Sequence, residues 1–305
     1  MTRTGLRTDS RAAGIAIFVL ALTLFASYDA FAKYILQFYP APFVNLMRYC
    51  SIGVIATGVL WQAGALQLWR TPHRGLLVLR GTMLAIVATC FMTALTWMPL
   101  AEATALYFTA PLVMVALSST VLGEHVGRRR WVAVGFGFCG MLLIVRPGND
   151  LPLVGTLLMA VSAVCYAVFQ LLTRRLAGLV SPALQYGYMA LICFVVTAVP
   201  APFFWLAQPV PVADVLLMLG AAGVSGTAQL LLLAAFRRVE ASTLAPLNYL
   251  QLLMAVVISS VWFARPPDAI AAAGIGLIVA AGLYLSLGKP ARAPATPQAK
   301  IELQP

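Results

Sequence analysis

AAGIAIFVLALTLFASYDAFAK, residues 12–33, is an apolar run of helix-spanning length, and its pattern returns as LVGTLLMAVSAVCYAVFQLLTR at residues 153–174. The offset is 141: Gly14 falls on Gly155 and Lys33 on Arg174. Ser118-Ser119 and Ser259-Ser260 keep that offset, and Glu102-Ala103-Thr104 matches Glu240-Ala241-Ser242 at 138. Working outward, a hydrocarbon layer about 30 Å thick asks for about 20 apolar residues per helix. Ten runs meet it: 12–33, 42–62, 76–97, 103–122, 131–147, 152–173, 182–206, 214–235, 243–262 and 268–287. Five spans per unit, an odd number, make the second unit enter the membrane from the opposite side. The predicted fold is all-α and integral to the membrane, with ten transmembrane helices in two inverted five-helix repeats. The repeats cover 12–147 and 152–287, between a cytoplasmic N-terminal tail, 1–11, and a cytoplasmic tail, 288–305, whose Ala/Pro-rich composition predicts disorder. Two inverted units around a shared cavity open to either face at similar energy, as in many secondary transporters.

Composition leads to the membrane independently. The chain is 62% hydrophobic and 10% charged, with mean hydropathy +0.92, whereas globular domains carry about 25% charged residues. The net charge of +11 would suit nucleic acid, but its placement excludes that partner. With the N-terminus inside, the cytoplasmic segments hold sixteen of the twenty Lys and Arg. These are Arg3, Arg7, Arg11, Arg70, Arg74, Arg80, Arg128–Arg130, Arg174, Arg175, Arg237, Arg238, Lys289, Arg292 and Lys300. Lys33, Arg48, Arg146 and Arg265 are left for the outer side or upper membrane. This asymmetry puts both termini in the cytoplasm and the chain in the cytoplasmic (inner) membrane, with lipid as a partner. Ala30-Phe31-Ala32 imitates a leader cleavage site, yet Tyr28 and Asp29 interrupt the apolar core and the segment has a repeat partner, so it is expected to be retained. Five scattered cysteines suggest neither a disulfide framework nor a metal, and no cofactor motif is present. The six tryptophans fall near span ends, as interfacial belts require.

Ionisable and polar groups within the spans mark the candidate site, because lipid cannot satisfy them. Asp29 and Lys33 are spaced i, i+4 and are expected to pair along span one. Arg48 lies two turns into span two at a similar depth. Two readings stay open: Arg48, oriented by Asp29 and Lys33, binds an anionic group of a substrate, or the three form an ion network tying span one to span two. Asn45, Tyr107, Tyr166, Gln170, Gln185, Gln229, Asn248, Tyr249 and Gln251 complete a cavity suited to a small amphipathic solute, each equally capable of an interhelical hydrogen bond. Pro111 and Pro246 remove backbone donors and are candidate hinges or static kinks. Glu102 stands where a carboxylate favours a helix start, and Glu124 is expected to pair with Arg128–Arg130. Glycines of spans five and ten permit close packing on each other or on a second copy of the chain, a homodimer. Only Asp29 reads as a carboxylate well inside a span, and His73 and His125 both fall in loops, which leaves an intramembrane enzyme without its chemistry.

Three stretches carry a family resemblance covering essentially the whole chain. Pro99-Leu100-Ala101-Glu102-Ala103-Thr104-Ala105, running through Pro111 to Gly123-Glu124, resembles the fourth span of EamA-type members of the drug/metabolite transporter superfamily. Pro246-Leu247-Asn248-Tyr249-Leu250-Gln251-Leu252 resembles their ninth, and Asp29-Ala30-Phe31-Ala32-Lys33 followed by Arg48 resembles the first two spans of one subset. Where the pattern has a second Gly-Glu, this chain has Ala264-Arg265. The resemblance implies a secondary, non-ATP-driven transporter, not an enzyme, carrying an amino-acid-like or vitamin-like metabolite by alternating access. A lipid flippase or scramblase is the alternative. Asp29 paired with Lys33 would stay ionised, which favours facilitated diffusion or exchange over proton coupling.

Overall fold

The computed structural model describes residues 3–64, 71, 73–121, 127–145, 151–176, 179–199, 203, 209–236, 238–239 and 244–286. The tail at 288–305, Glu124, His125, Arg146, Trp69, Trp205 and Glu240-Ala241-Ser242 lie outside the described residues. The first half forms α1 (Arg3–Ile35), α2 (Ala41–Gln62), α3 (Arg74–Trp97), α4 (Leu100–Tyr107), α5 (Ala110–Val121) and α6 (Arg128–Val145). The second forms α7 (Leu153–Leu176), α8 (Pro182–Ala198), α9 (Val212–Phe236), a 3-10 turn (Ala245–Asn248), α10 (Tyr249–Val261) and α11 (Ala269–Ser286). No strand occurs among the described residues. Six segments are long and apolar enough to cross a membrane: α1 from Ala12, α2, α3, α4–α5 taken together, α7 and α9. The remaining four, within α6, α8, α10 and α11, are shorter apolar helices. Residues 3–11, expected as a tail, continue α1 as helix.

Proline and capping chemistry set the ends. Pro40 and Pro42 flank the start of α2, where a missing N–H costs nothing. Ser181 caps α8 by accepting from the Leu184 amide at 3.3 Å, and Asp268 caps α11 through the amides of Ile270 and Ala271 at 3.0 and 2.8 Å. Span four breaks at Phe108-Thr109, immediately before Pro111, where the proline offers no amide to carry the helix through. Pro246 lies in the 3-10 turn that leads into α10. Both candidate hinges thus stand at interruptions.

The packing obeys an exchange of halves. α1 packs on α9 as α7 packs on α3; α2 packs on α9 as α8 packs on α3; α1 packs on α10 as α7 packs on α4. The pairs α2–α8, α4–α10 and α6–α11 map onto themselves. The offset of 141 relates Phe108 to Tyr249, and their ring centroids are 5.7 Å apart. A residue touches its own repeat mate only beside the axis relating the repeats, so this contact locates it.

The glycines of α6 and α11 meet within the chain. A Cβ on Gly140 would lie 2.7 Å from the Gly274 carbonyl oxygen, and one on Gly274 would lie 2.6 Å from that of Gly140. Gly135 and Gly276 face open space. Large apolar side chains such as Val54, Leu157, Leu216 and Val257 point outward, and Trp61, Trp97, Trp131 and Trp262 are exposed at helix ends. A water-soluble protein would bury the first set. A bilayer solvates both.

Candidate functional site

Arg48 lies seven residues past the start of α2, about 10 Å into the bundle at 1.5 Å per residue. Its guanidinium sits over the Tyr28 ring at 4.6 Å and near the Tyr49 ring at 5.9 Å. Nη2 donates to Ser225 Oγ at 3.2 Å, while Nε is buried without a partner. No carboxylate of the described residues forms an ion pair with it. One turn earlier, buried Asn45 donates from Nδ2 to the Ala88 carbonyl at 3.1 Å and leaves Oδ1 unpaired. On α8 the Tyr186 hydroxyl is also buried and unpaired, and it approaches Gly226, the neighbour of Ser225. A buried polar group without a partner costs about 1–3 kcal/mol. These atoms and the guanidinium leave hydrogen-bonding capacity buried in the bundle.

The expected Asp29–Lys33 pair does not form, and this is a correction. Lys33 Nζ instead donates to the carbonyls of Leu95 and Met98 at 2.5 and 2.9 Å, at the C-terminal end of α3. A cation is favoured there by the unsatisfied carbonyls and the helix dipole. Lys33 therefore does not pair with Asp29. Asp29 Oδ2 accepts a hydrogen bond from Gln251 Nε2 of α10 at 3.1 Å and has no cationic side chain on it. The carboxylate and the guanidinium lie close enough to feel each other's charge, yet neither is in ion-pair contact with a protein side chain.

Beyond the axis pair, aromatic rings continue in file. Phe108 meets Tyr107 at 5.9 Å, Tyr107 meets Tyr166 at 4.8 Å, and Tyr166 stacks on Phe169 at 5.8 Å. Phe91 abuts Tyr107 at 5.5 Å, and Gln170 donates to the Tyr166 hydroxyl at 3.4 Å. Contacts thus join Asp29 to Gln251 and Arg48 to Tyr28, and join Tyr107, Tyr166 and Gln170 to one another, with Tyr249 against Phe108. Gln229 is half-buried on α9 one turn past Ser225, and half-buried Asn248 precedes α10 without a side-chain capping bond. Gln185 is buried and its amide donates to the Val180 carbonyl at 3.1 Å, a structural role.

Two features escaped the sequence. Arg80, grouped there with cytoplasmic charges, is 7% exposed and lies over the Phe169 ring at 4.4 Å. Its inclusion in the apolar run 76–97 was the available signal. Glu102 is a second carboxylate buried in a span, its Oε2 without a partner, where Asp29 alone was expected. No group of metal-ligating side chains occurs among the described residues. Two clefts, one lined by Leu253, Val256 and Ile275, the other by Val132, Phe136 and Tyr284, are apolar grooves along α11, away from Arg48.

Comparison with known proteins places the chain in a family. The model of the EamA-like transporter family matches residues 12–146 and again 153–287. An S-adenosylmethionine uptake transporter of Rickettsia felis is 26% identical over 273 residues, covering 89% of this chain and 92% of its own. A riboflavin transporter of Brucella anthropi is 28% identical over 256 residues, covering 81% and 88%. The pseudopaline exporter CntI of Pseudomonas aeruginosa is 28% identical over 293 residues, covering 92% and 98%. A crystal structure of a protein with 21% identity covers 90% of this chain and 97% of its own at a TM-score of 0.64, which shows a shared fold.

Proposed function

This chain belongs to the EamA-like transporter family, a multi-pass membrane transporter of small molecules and not an enzyme, and from that premise we propose that its cargo has an amino-acid-like head. Arg48 receives the carboxylate and Asp29 the amine, while Tyr28, Tyr107, Phe108 and Tyr249 hold the apolar or aromatic body. What carries the reading is that Arg48 has no ion-pair partner and that Nε, Asn45 Oδ1 and the Tyr186 hydroxyl are buried unpaired. Arginine's planar fork suits a bidentate carboxylate contact. Intramembrane charges outside ion-pair contact are costly, and such groups mark paths for cargo or ions.

The carrier works as a secondary transporter by alternating access. Ten spans form two inverted repeats in the cytoplasmic membrane with both termini inside, and the interruptions before Pro111 and after Pro246 are where the segments bend. S-adenosylmethionine, named for several relatives, fits the head-and-body requirement: an α-amino carboxylate joined to an aromatic nucleoside. Riboflavin, named for others, has the aromatic body but no carboxylate. The test is uptake of S-adenosylmethionine, phenylalanine, phenylalanine methyl ester, N-acetylphenylalanine and riboflavin into proteoliposomes. Uptake that needs both free carboxylate and free amine supports the reading. Equal uptake of the ester, or of riboflavin alone, overturns it.

A further inference from the structure

Arg80 lies six residues past the start of α3, about 9 Å in from the end of the bundle opposite to the one Arg48 enters. Its Nε donates to Thr173 Oγ1 at 2.7 Å and its Nη1 to the Gln185 carbonyl at 3.0 Å. Nη2 has no partner among the described residues, and no carboxylate forms an ion pair with the group. Arg48 lies among α1, α2 and α9; exchanging the halves turns these into α7, α8 and α3, the helices around Arg80. The ring under each guanidinium corresponds too, since Tyr28 and Phe169 differ by 141. The arginine itself comes from a different helix of the trio, α2 in one and α3 in the other, so the offset alone does not reveal the relation.

The two places differ in one charge. Asp29, beside Tyr28, corresponds at 141 to Gln170, beside Phe169. Gln170 lies one turn from Thr173, the residue that holds Arg80, and so shares its helix face. Arg48 therefore has a carboxylate in its neighbourhood and Arg80 a neutral amide in the matching position. From Phe169, under Arg80, the file Tyr166, Tyr107, Phe108, Tyr249 runs to the axis, each ring 4.8–5.9 Å from the next. Flat rings in sequence offer an aromatic solute contact along the way.

We propose that Arg80, with Phe169 and Gln170, is a second binding place for the anionic group of the cargo, reached from the membrane face opposite to Arg48. It rests on the reading of Arg48 as an anion anchor for one carried solute. The carboxylate is held by Arg48 when the carrier opens to one side and by Arg80 when it opens to the other. At Arg80 the neutral Gln170 leaves the ammonium group without a partner, which weakens retention of a zwitterion and favours its release.

The test is the half-saturating concentration of S-adenosylmethionine, and of phenylalanine, measured separately from each face in oriented proteoliposomes. Wild type is compared with Arg48→Gln, Arg80→Gln, Arg80→Lys and Gln170→Glu. Arg80→Gln is expected to raise half-saturation about tenfold, the worth of one charge-assisted contact, at one face only. Arg48→Gln acts at the other face, and Arg80→Lys recovers part of the loss. Equal changes at both faces, or none, overturn the proposal and leave Arg80 a bolt between α3, α7 and α8. If Arg80→Gln does not fold, Gln170→Glu decides: tighter binding of the zwitterion at that face alone supports the second place, and unchanged or weaker binding overturns it. A one-faced effect of Arg80→Gln with none of Arg48→Gln would sink the Arg48 anchor and not the contact at Arg80.

Discussion

Lys33 separates a structural cation from a substrate-binding one. Replacing it with methionine keeps the alkyl stem and removes the ammonium group, leaving the carbonyls of Leu95 and Met98 without their donor. Hydrogen bonds to charged groups contribute about 1.5–3 kcal/mol each when buried. Lys33 is half-buried, so screening roughly halves the pair to about 1.5–3 kcal/mol. At about 2–4 °C per kcal/mol for a chain of this size, the melting temperature falls about 3–12 °C. The assay is thermal unfolding of the purified protein in detergent, alongside half-saturation of uptake in proteoliposomes. Lys33→Met is expected to melt early and to bind cargo with unchanged half-saturation. Normal melting together with lost affinity would show that Lys33 contacts the cargo, and the assignment of its ammonium group to α3 would be refuted.

Gly140→Ala forces α6 and α11 apart, because the new methyl meets the Gly274 carbonyl at 2.7 Å. Overpacking of this kind costs about 1–3 kcal/mol, whereas Gly135→Ala, inside α6 and facing open space, leaves the melting temperature no lower and raises it slightly, since helical glycine costs about 0.5–1 kcal/mol relative to alanine. Ala264 has φ of 49°, a left-handed conformation that costs a side chain about 1–2 kcal/mol. Ala264→Gly therefore raises the melting temperature by a few degrees, after allowing for the extra freedom of unfolded glycine. The Tyr39 hydroxyl, in the loop before α2, donates to Asp214 of α9. That bond, followed by burial, raises its pKa above the usual value near 10. The favoured protonated form persists below that value and is lost only as pH rises through the raised pKa. Transport rates of wild type and Tyr39→Phe should therefore keep a constant ratio from pH 6 to 9, and a ratio that changes there would contradict the assignment.

The repeat was legible because helices that pack on each other across an exchange of halves must keep similar lengths and turns, and the offset of 141 survives in Gly14 and Gly155. It even held the axis contact, Phe108 and Tyr249, although nothing in the sequence says that repeat mates touch. Arg48 and Asp29 were legible as charges that lipid cannot solvate. Lys33 was misread because its i, i+4 carboxylate is visible locally, whereas its carbonyl partners lie 62 and 65 residues away. Arg80 was misread because the first two turns of a span and a cytoplasmic loop share the same basic composition, and only packing against Phe169 and Thr173 tells them apart. Glu102 does stand in the first turn of α4, but its burial was not legible, because only the packed bundle covers α4 on nearly every side.

The central claim, that the unpaired guanidinium of Arg48 holds the carboxylate of the cargo, is tested most directly by one comparison in proteoliposomes. Uptake of phenylalanine and of its methyl ester is measured for wild type and for Arg48→Gln at matched protein content. The account predicts that wild type carries the free acid in preference to the ester, and that Arg48→Gln loses this preference while still melting cooperatively. A folded Arg48→Gln protein that retains full preference for the free acid would contradict it.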